Sequence, residues 1–248
     1  MATTSVVSAF RVLEGVARLQ PVGLSELARE VALPKSTVQR CLLTLQEVGW
    51  AESSSSAPTR WSMTLRALSV TGGMGARESL RDVAVPVMHE LQLSTTETIH
   101  LVAPDGDELV LLERLDTAHS LRAFLPLGER IPLHASATGL AFLSACDAGR
   151  IDRYLDGPLV PRTPDSLTDP DRIRDELAHI RERGWSVNVG GLSSGISSLG
   201  APVLDHTGSP VAAVSISGPS SRIEPSRFDD LGAQVAQAAA RITQRLRA

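Results

Sequence analysis

Apolar residues recur at helical spacing three times in the first fifty positions. Val6, Phe10, Val12, Leu13 and Val16 predict one apolar face. Leu24, Leu27, Ala28 and Val31 follow at i, i+3, i+4 and i+7, with Ser25 placed to cap the helix. After a break at Leu33-Pro34, Val38, Cys41, Leu42 and Leu45 repeat the spacing. Gly49 to Glu52 and Arg60 to Met63, joined by the Ser/Pro-rich stretch SSSSAPT, predict a short hairpin. Residues 64–80 predict a helix, a break at Gly72, Gly73 and Gly75, and the start of a linker helix running to about Leu93. Its stripe of Leu80, Val83, Val87 and Leu91 is suited to packing between the N-terminal parts of two copies of the chain.

From residue 97 the period changes to two. TIHLVAP, ELVLLERL, LRAFLP, WSVNVG, SSLGAPVL and AAVSISGP predict strands, and helices are predicted over 136–146, 147–155, 170–183 and 226–246. Strands, then helices, then strands do not form repeated βαβ units. A mixed, largely antiparallel sheet flanked by helices is expected, which makes the chain α+β. Its expected parts are a winged helix-turn-helix over 1–63, linker helices over 64–93, and a sheet domain over 94–248.

Composition narrows the chemistry. Aromatic residues make up only 3% of the chain, so the core is built from Leu, Val, Ile and Ala. Cys41 and Cys146 sit in helical apolar patterns, away from disulfide or metal spacing. The chain opens without a basic-then-apolar leader and lacks an apolar run of about 18 residues, so a cytoplasmic protein is expected. Charge is uneven. Residues 1–77 hold eight Lys/Arg and five acids, and the remainder holds 16 basic and 23 acidic residues. A basic end on an acidic body suits a polyanionic partner at that end.

The third helical stretch carries the only lysine, Lys35. With its apolar set turned to a three-helix core, Lys35, Ser36, Thr37, Gln39 and Arg40 face outward, and residues 32–46 contain no acid. Arg and Gln pair bidentately with base edges, while Lys, Ser and Thr hold phosphates. The start of the helix adds free N–H groups beside Lys35. Arg60, on the hairpin, is a candidate for the backbone or the minor groove. Two helices joined by a short turn, with a helix before and a hairpin after, form a winged helix-turn-helix, and its expected partner is double-stranded DNA.

ALPKSTVQRCLLTL resembles the recognition helix of the IclR (isocitrate-lyase-regulator) family of bacterial transcription factors. The resemblance continues through ETIHLVAP, LGERIPLHASATGLAFLSA, IRERGWSVN, GISSLGAPV and AAVSISGP, in the family's order and spacing. It implies a winged helix, a linker helix, and an effector-binding domain related to the GAF fold, assembled as homodimers or homotetramers.

The second domain can be read as an enzyme or a sensor. Gly191-Leu192-Ser193-Ser194-Gly195 matches G-x-S-x-G, but that elbow needs a helix after the serine, and ISSLGAPV reads as a strand. The six histidines show no metal-ligand spacing, and GGMG at 72–75 lacks the preceding strand and third glycine of a dinucleotide site. Neither a metal nor a cofactor is expected. The enzyme alternative is a small-molecule hydrolase fused to a DNA-binding head. A purely architectural DNA binder is a third reading.

For a sensor, the N–H groups of Ala137 and Thr138 open a helix and can receive an anion. Ser215 and Ser217 alternate with Val214 and Ile216, so both hydroxyls share one face of a strand. The alternative, that these serines only satisfy neighbouring backbone, stays open on the residues alone. The resemblance maps effector-lining positions onto Ile131, Ala137, Thr138, Asn188, Ile196, Ser198, Ser215 and Ser217. Three departures stand out against the family pattern. Leu140 replaces a frequent lysine, Asn188-Val189-Gly190-Gly191 replaces frequent acids, and Ser198 replaces a frequent cysteine. The expected effector is a small carboxylate or carbonyl compound in a pocket rich in hydroxyls. The expected function is a ligand-responsive regulator, more often a repressor.

Overall fold

A computed structural model describes residues 2–55, 57–71 and 75–247. The chain divides into two compact units, Met1–Gly75 and Ala76–Ala248. The predicted break at Gly72 and Gly73, and most of the GGMG stretch, lie outside the described residues.

The first unit holds α1 (Thr4–Leu19), α2 (Leu24–Glu30), α3 (Lys35–Glu47), a two-stranded wing of β1 (Ala51–Ser53) and β2 (Trp61–Met63), and α4 (Arg66–Thr71). The wing strands pair antiparallel, with Glu52 opposite Ser62, and Trp61 bridges back to Val22. Val12, Val16, Val22, Leu27, Val38 and Leu42 are fully buried around Trp61. The face of α1 differs from the expected one. Ser8, Val12, Gly15 and Val16 are buried, whereas Val6 and Phe10 are 51% and 60% exposed. The small residues at 8 and 15 let α1 come close to its neighbours, and Leu27 of α2 and Val31 just after it lie directly against Gly15. Ser25 is not the cap of α2: the helix opens at Leu24 with Gly23 at the cap position and no side-chain cap bond. The turn into α3 places Ala32 at φ 52°, a left-handed conformation that an L side chain adopts at a cost.

The second unit is a six-stranded sheet in the order β5-β4-β3-β8-β7-β6, from β3 (Thr98–Asp105), β4 (Glu108–Leu115), β5 (Arg130–Pro132), β6 (Ser186–Val189), β7 (Ile196–Leu204) and β8 (Pro210–Pro219). Every ladder among the described strands is antiparallel, so no mixed pairing occurs. On one face, α5 (Gly75–Thr95) and α9 (Phe228–Leu246) cover Ile99, Leu101, Leu199, Val203, Val214 and Ile216. On the other, α6 (Ala137–Ser144), α7 (Ala148–Leu155) and α8 (Pro170–Arg183) pack over Val102, Leu109, Leu111, Ile131 and Ala213.

Two expectations fail here for identifiable reasons. LRAFLP, residues 121–126, is not a strand. Its carbonyls at Leu121 and Leu125 accept from the guanidinium groups of Arg222 and Arg114 rather than from a ladder. The edge strand is instead Arg130–Pro132, too short for a period of two to register. The linker stripe is also already used. Leu80, Val87 and Leu91 are buried in this unit's own core, with Val83 packed against it, because the long helix lays its apolar face on the sheet.

Candidate functional site

On α3 the core takes Val38, Leu42 and Leu45, leaving Lys35, Ser36, Gln39 and Arg40 exposed and Thr37 half-buried. The cap position is Pro34, with no side-chain cap bond, and the first turn contains no acid. The amides at the start of a helix have no intrahelical acceptor, so they stay available to a ligand such as a phosphate. Leu43, unassigned by the spacing, also faces out and is 52% exposed one turn beyond Gln39. Arg60 enters β2 with its guanidinium turned to α2, 3.3 Å from Glu26 Oε2 and 3.4 Å from the Pro21 carbonyl. Both members of that ion pair are about half exposed, and such pairs are weak enough to exchange for a phosphate.

In the second unit a cavity of about 260 Å³ opens on the sheet face away from α5 and α9. The strand register builds its floor. Thr98, Ser217, Ser198 and Asn188 stand side by side across β3, β8, β7 and β6, and His100, Ser215, Gly200 and Ser186 form the next row. The start of α6 is drawn onto this floor by close backbone approach. A Cβ at Gly200 would lie 2.9 Å from the Ala137 carbonyl, and one at Gly139 would lie 2.3 Å from the Leu133 carbonyl oxygen. Ser136 caps α6, accepting from the Gly139 N–H at 3.0 Å and donating to the Pro132 carbonyl at 2.9 Å. That leaves the N–H groups of Ala137 and Thr138 at the cavity wall.

All eight positions drawn from the family resemblance, Ile131, Ala137, Thr138, Asn188, Ile196, Ser198, Ser215 and Ser217, line this one cavity. The serine hydroxyls in the second row of this sheet face and at the cavity differ in what they bond. Ser186 donates to the carbonyls of Ala137 and Gly200, and so serves the backbone. Ser215 and Ser217 make no such bond among the described residues: their oxygens lie 3.5 Å apart, and Ser217 Oγ lies 3.2 Å from His100 Nδ1. Buried hydroxyls without backbone partners are uncommon unless something else uses them. Asn188 Oδ1 accepts from the Leu192 N–H at 3.3 Å, which turns the amide group toward the cavity loop.

The spacing missed several lining residues. His100 and Val102 come from β3, and Arg122, Ala123, Phe124 and Leu125 form a roof from the segment misread as a strand. His100 was legible in principle, since it alternates with Ile99 and Leu101 and so shares the face of Ser215. Arg122 is the one ionised side chain lining the cavity among the described residues, and no Asp or Glu joins it. Burial, reinforced by the Arg114 cation, pushes the His100 imidazole down to about 4, so the ring is neutral near pH 7. Arg114 is held by Asp116 at 2.8 Å and stacks 4.1 Å from the centre of the Phe124 ring, which ties down the roof. Ser193, the middle of G-x-S-x-G, lies in the turn between β6 and β7. Its carbonyl closes that turn onto the Ile196 N–H at 3.1 Å, and a strand follows where a hydrolase elbow needs a helix.

Comparison with known proteins decides what these parts make. Residues 5–55 match the IclR helix-turn-helix domain, and residues 75–244 match the bacterial transcriptional regulator IclR C-terminal domain. The chain belongs to the IclR family of bacterial transcriptional regulators. It is 30% identical to the transcriptional repressor IclR of Escherichia coli over 96% of this chain and 88% of that one. It is 32% identical to the transcriptional repressor AllR of the same organism, over 90% and 82%. The crystal structure of Thermotoga maritima IclR superposes with a TM-score of 0.80 at 27% identity, covering 98% of both chains. As in other IclR-family chains, the parts are those of a regulator rather than of an enzyme. No described helix is long and apolar enough to cross a membrane.

Proposed function

We propose that this chain is a ligand-responsive repressor that reads a DNA operator through α3 and senses a small carboxylate or carbonyl compound in the cavity. The observation that carries the reading is the pair Ser215 and Ser217, buried hydroxyls without backbone partners beside the free N–H groups of α6. A carboxylate sits at the Ala137 and Thr138 amides and accepts from the two serines. Ser198 and Asn188 fix the opposite end, and Ile131 and Ile196 cover the carbon skeleton. Arg122 at the roof is paired with Asp116 at 3.8 Å, a loose, part-exposed contact that an anion can compete for, and no acid stands among the described lining residues. At about 260 Å³ the cavity is below the usual size for drug-like ligands, which suits a small metabolite.

On the DNA side, Lys35 clamps a phosphate at the helix start, with Ser36 and Thr37 beside it, while Gln39 and Arg40 reach base edges. Arg60 exchanges Glu26 for the backbone or the minor groove at the wing. One recognition helix covers few base pairs, so two or four copies act together on a pseudo-palindrome. The exposed Val6, Val7 and Phe10 of α1 supply an apolar surface for that association. Ligand binding shifts the balance between DNA-competent and DNA-incompetent arrangements of the copies. The repressors among its relatives support repression, and its place of action is the cytoplasm, where the DNA lies. The test is operator binding by alanine variants. Arg40→Ala is expected to weaken specific binding by about 1–3 kcal/mol. Lys35→Ala is expected to weaken binding to every sequence and lower the salt slope by about one. Unchanged affinity in both folded variants overturns the assignment.

A further inference from the structure

His100 is a buried side chain that the reading above leaves without a role. It lies on β3, is 3% exposed, and borders the cavity. One ring nitrogen, Nδ1, lies 3.2 Å from Ser217 Oγ, and the other, Nε2, is buried without a partner. Among the described residues the Ser217 hydroxyl has two side-chain hydrogen-bond partners, His100 and Ser215, the latter at 3.5 Å.

We propose that His100 is a positioning residue for the ligand: its Nδ1–H donates to Ser217 Oγ, which leaves the Ser217 hydroxyl proton to point at a carboxylate in the cavity. The proposal rests on the carboxylate reading of the cavity given above. Proton supply sets the direction of this bond. A neutral imidazole carries one proton, and a serine hydroxyl carries one. If Ser217 donates to Nδ1, it turns only lone pairs toward the cavity and repels an anion. If Nδ1–H donates to Ser217, the serine proton is free and the oxygen is already satisfied as an acceptor.

One feature selects the second arrangement. The first arrangement puts the ring proton on Nε2, where it would be a buried N–H with no acceptor. In the second arrangement the ring is a donor to Ser217. It makes the hydroxyl selective for acceptor-only ligands over those that present a donor at the same point.

The test has two parts, both on the full chain. Nitrogen-15 histidine spectra, with His100 assigned from the His100→Asn variant, are expected to find Nδ1 protonated and Nε2 bare. A proton on Nε2 overturns the proposal. Ligand selectivity is then measured by calorimetry with pyruvate, lactate, succinate and benzoate, each against its carboxamide. The wild type is expected to favour the bound carboxylate over its amide by about tenfold or more. His100→Phe, which removes the donor, is expected to erase most of that preference. His100→Asn, whose side-chain amide can donate from the place of Nδ1, is expected to keep it. Equal selectivity in all three proteins overturns the positioning role, as does equal loss in both variants, which would make the ring merely structural. If none of the carboxylates binds the wild type, it is the carboxylate reading of the cavity that falls, and this proposal falls with it.

Discussion

Val214 and Ile216 point from β8 into the core under α5 and α9, while Ser215 and Ser217, one residue further along in each case, point into the cavity. All four are buried. The two faces differ in what satisfies them. The first face needs only close packing, and each side chain there is held by apolar neighbours from two helices. The second face keeps polar atoms that the backbone does not use, beneath a roof fastened by Arg114 and Arg222. Alternation along a central strand therefore encodes two separate things, stability on one side and recognition on the other. A substitution on one face should leave the other property largely intact.

The strongest break in this comparison is Ile216→Ala. The side chain is fully buried, and removing it is expected to cost about 2–5 kcal/mol of folding stability in chemical denaturation. The strand pairing and the cavity chemistry should survive in the folded fraction.

The next effect is a pH dependence. The His100 imidazole is pushed down to about 4 in the folded protein, chiefly by burial, against about 6.5 in an unfolded chain. As pH falls, the unfolded chain takes up this proton first. The stability linked to His100 is therefore complete above about pH 6.5 and declines between 6.5 and 4, by about 3 kcal/mol in all. Denaturation of the wild type and of His100→Asn across that window isolates the contribution, because the variant lacks this part of the slope while the carboxylates are common to both.

Ser217→Ala sharpens the comparison from the other side. Folding stability is expected to fall by about 1–3 kcal/mol, because the buried His100 Nδ1–H loses its acceptor while no backbone group loses a partner. Affinity for a carboxylate effector is expected to fall about tenfold, since the lost bond is charge-assisted. Calorimetry and denaturation on the same preparation check both halves.

The smallest effect lies in the other unit. Ala32 holds φ 52° in the turn before α3. Ala32→Gly is expected to relieve that cost and to gain about 0.5 kcal/mol, after the extra flexibility of glycine in the unfolded chain is set against it. Thermal denaturation of the isolated variant against the wild type checks the sign.

Much of this was legible in the residues, and the failures have physical causes. The alternation in AAVSISGP fixes both faces of β8, and the acid-free outward face of α3 is visible in ALPKSTVQR. The face of α1 was not legible, because Ser8 and Gly15 are buried for their small size while Phe10 is left in solvent. The roof was misread because Leu121, Ala123 and Leu125 alternate with Arg122 and Phe124 as a strand would. Its carbonyls are satisfied by distant arginines, which no local pattern records. The linker stripe was read correctly as apolar but assigned to the wrong neighbour, since periodicity gives a face and not its partner. The eight cavity positions came from family resemblance. The residues alone pointed only to the α6 amides and the two serines.

On the function proposed above, a ligand held by the hydroxyl face of β8 controls DNA reading by α3. The most direct test is to bind the full chain to DNA from its own promoter region and titrate with small carboxylates, comparing the wild type with Ser215→Ala and Ser217→Ala. At least one carboxylate is expected to change DNA affinity in the wild type. Each variant should need about tenfold more of it for the same change, with ligand-free DNA affinity unaltered. A carboxylate that shifts DNA affinity at the same concentration in all three proteins would place the sensing site away from these serines.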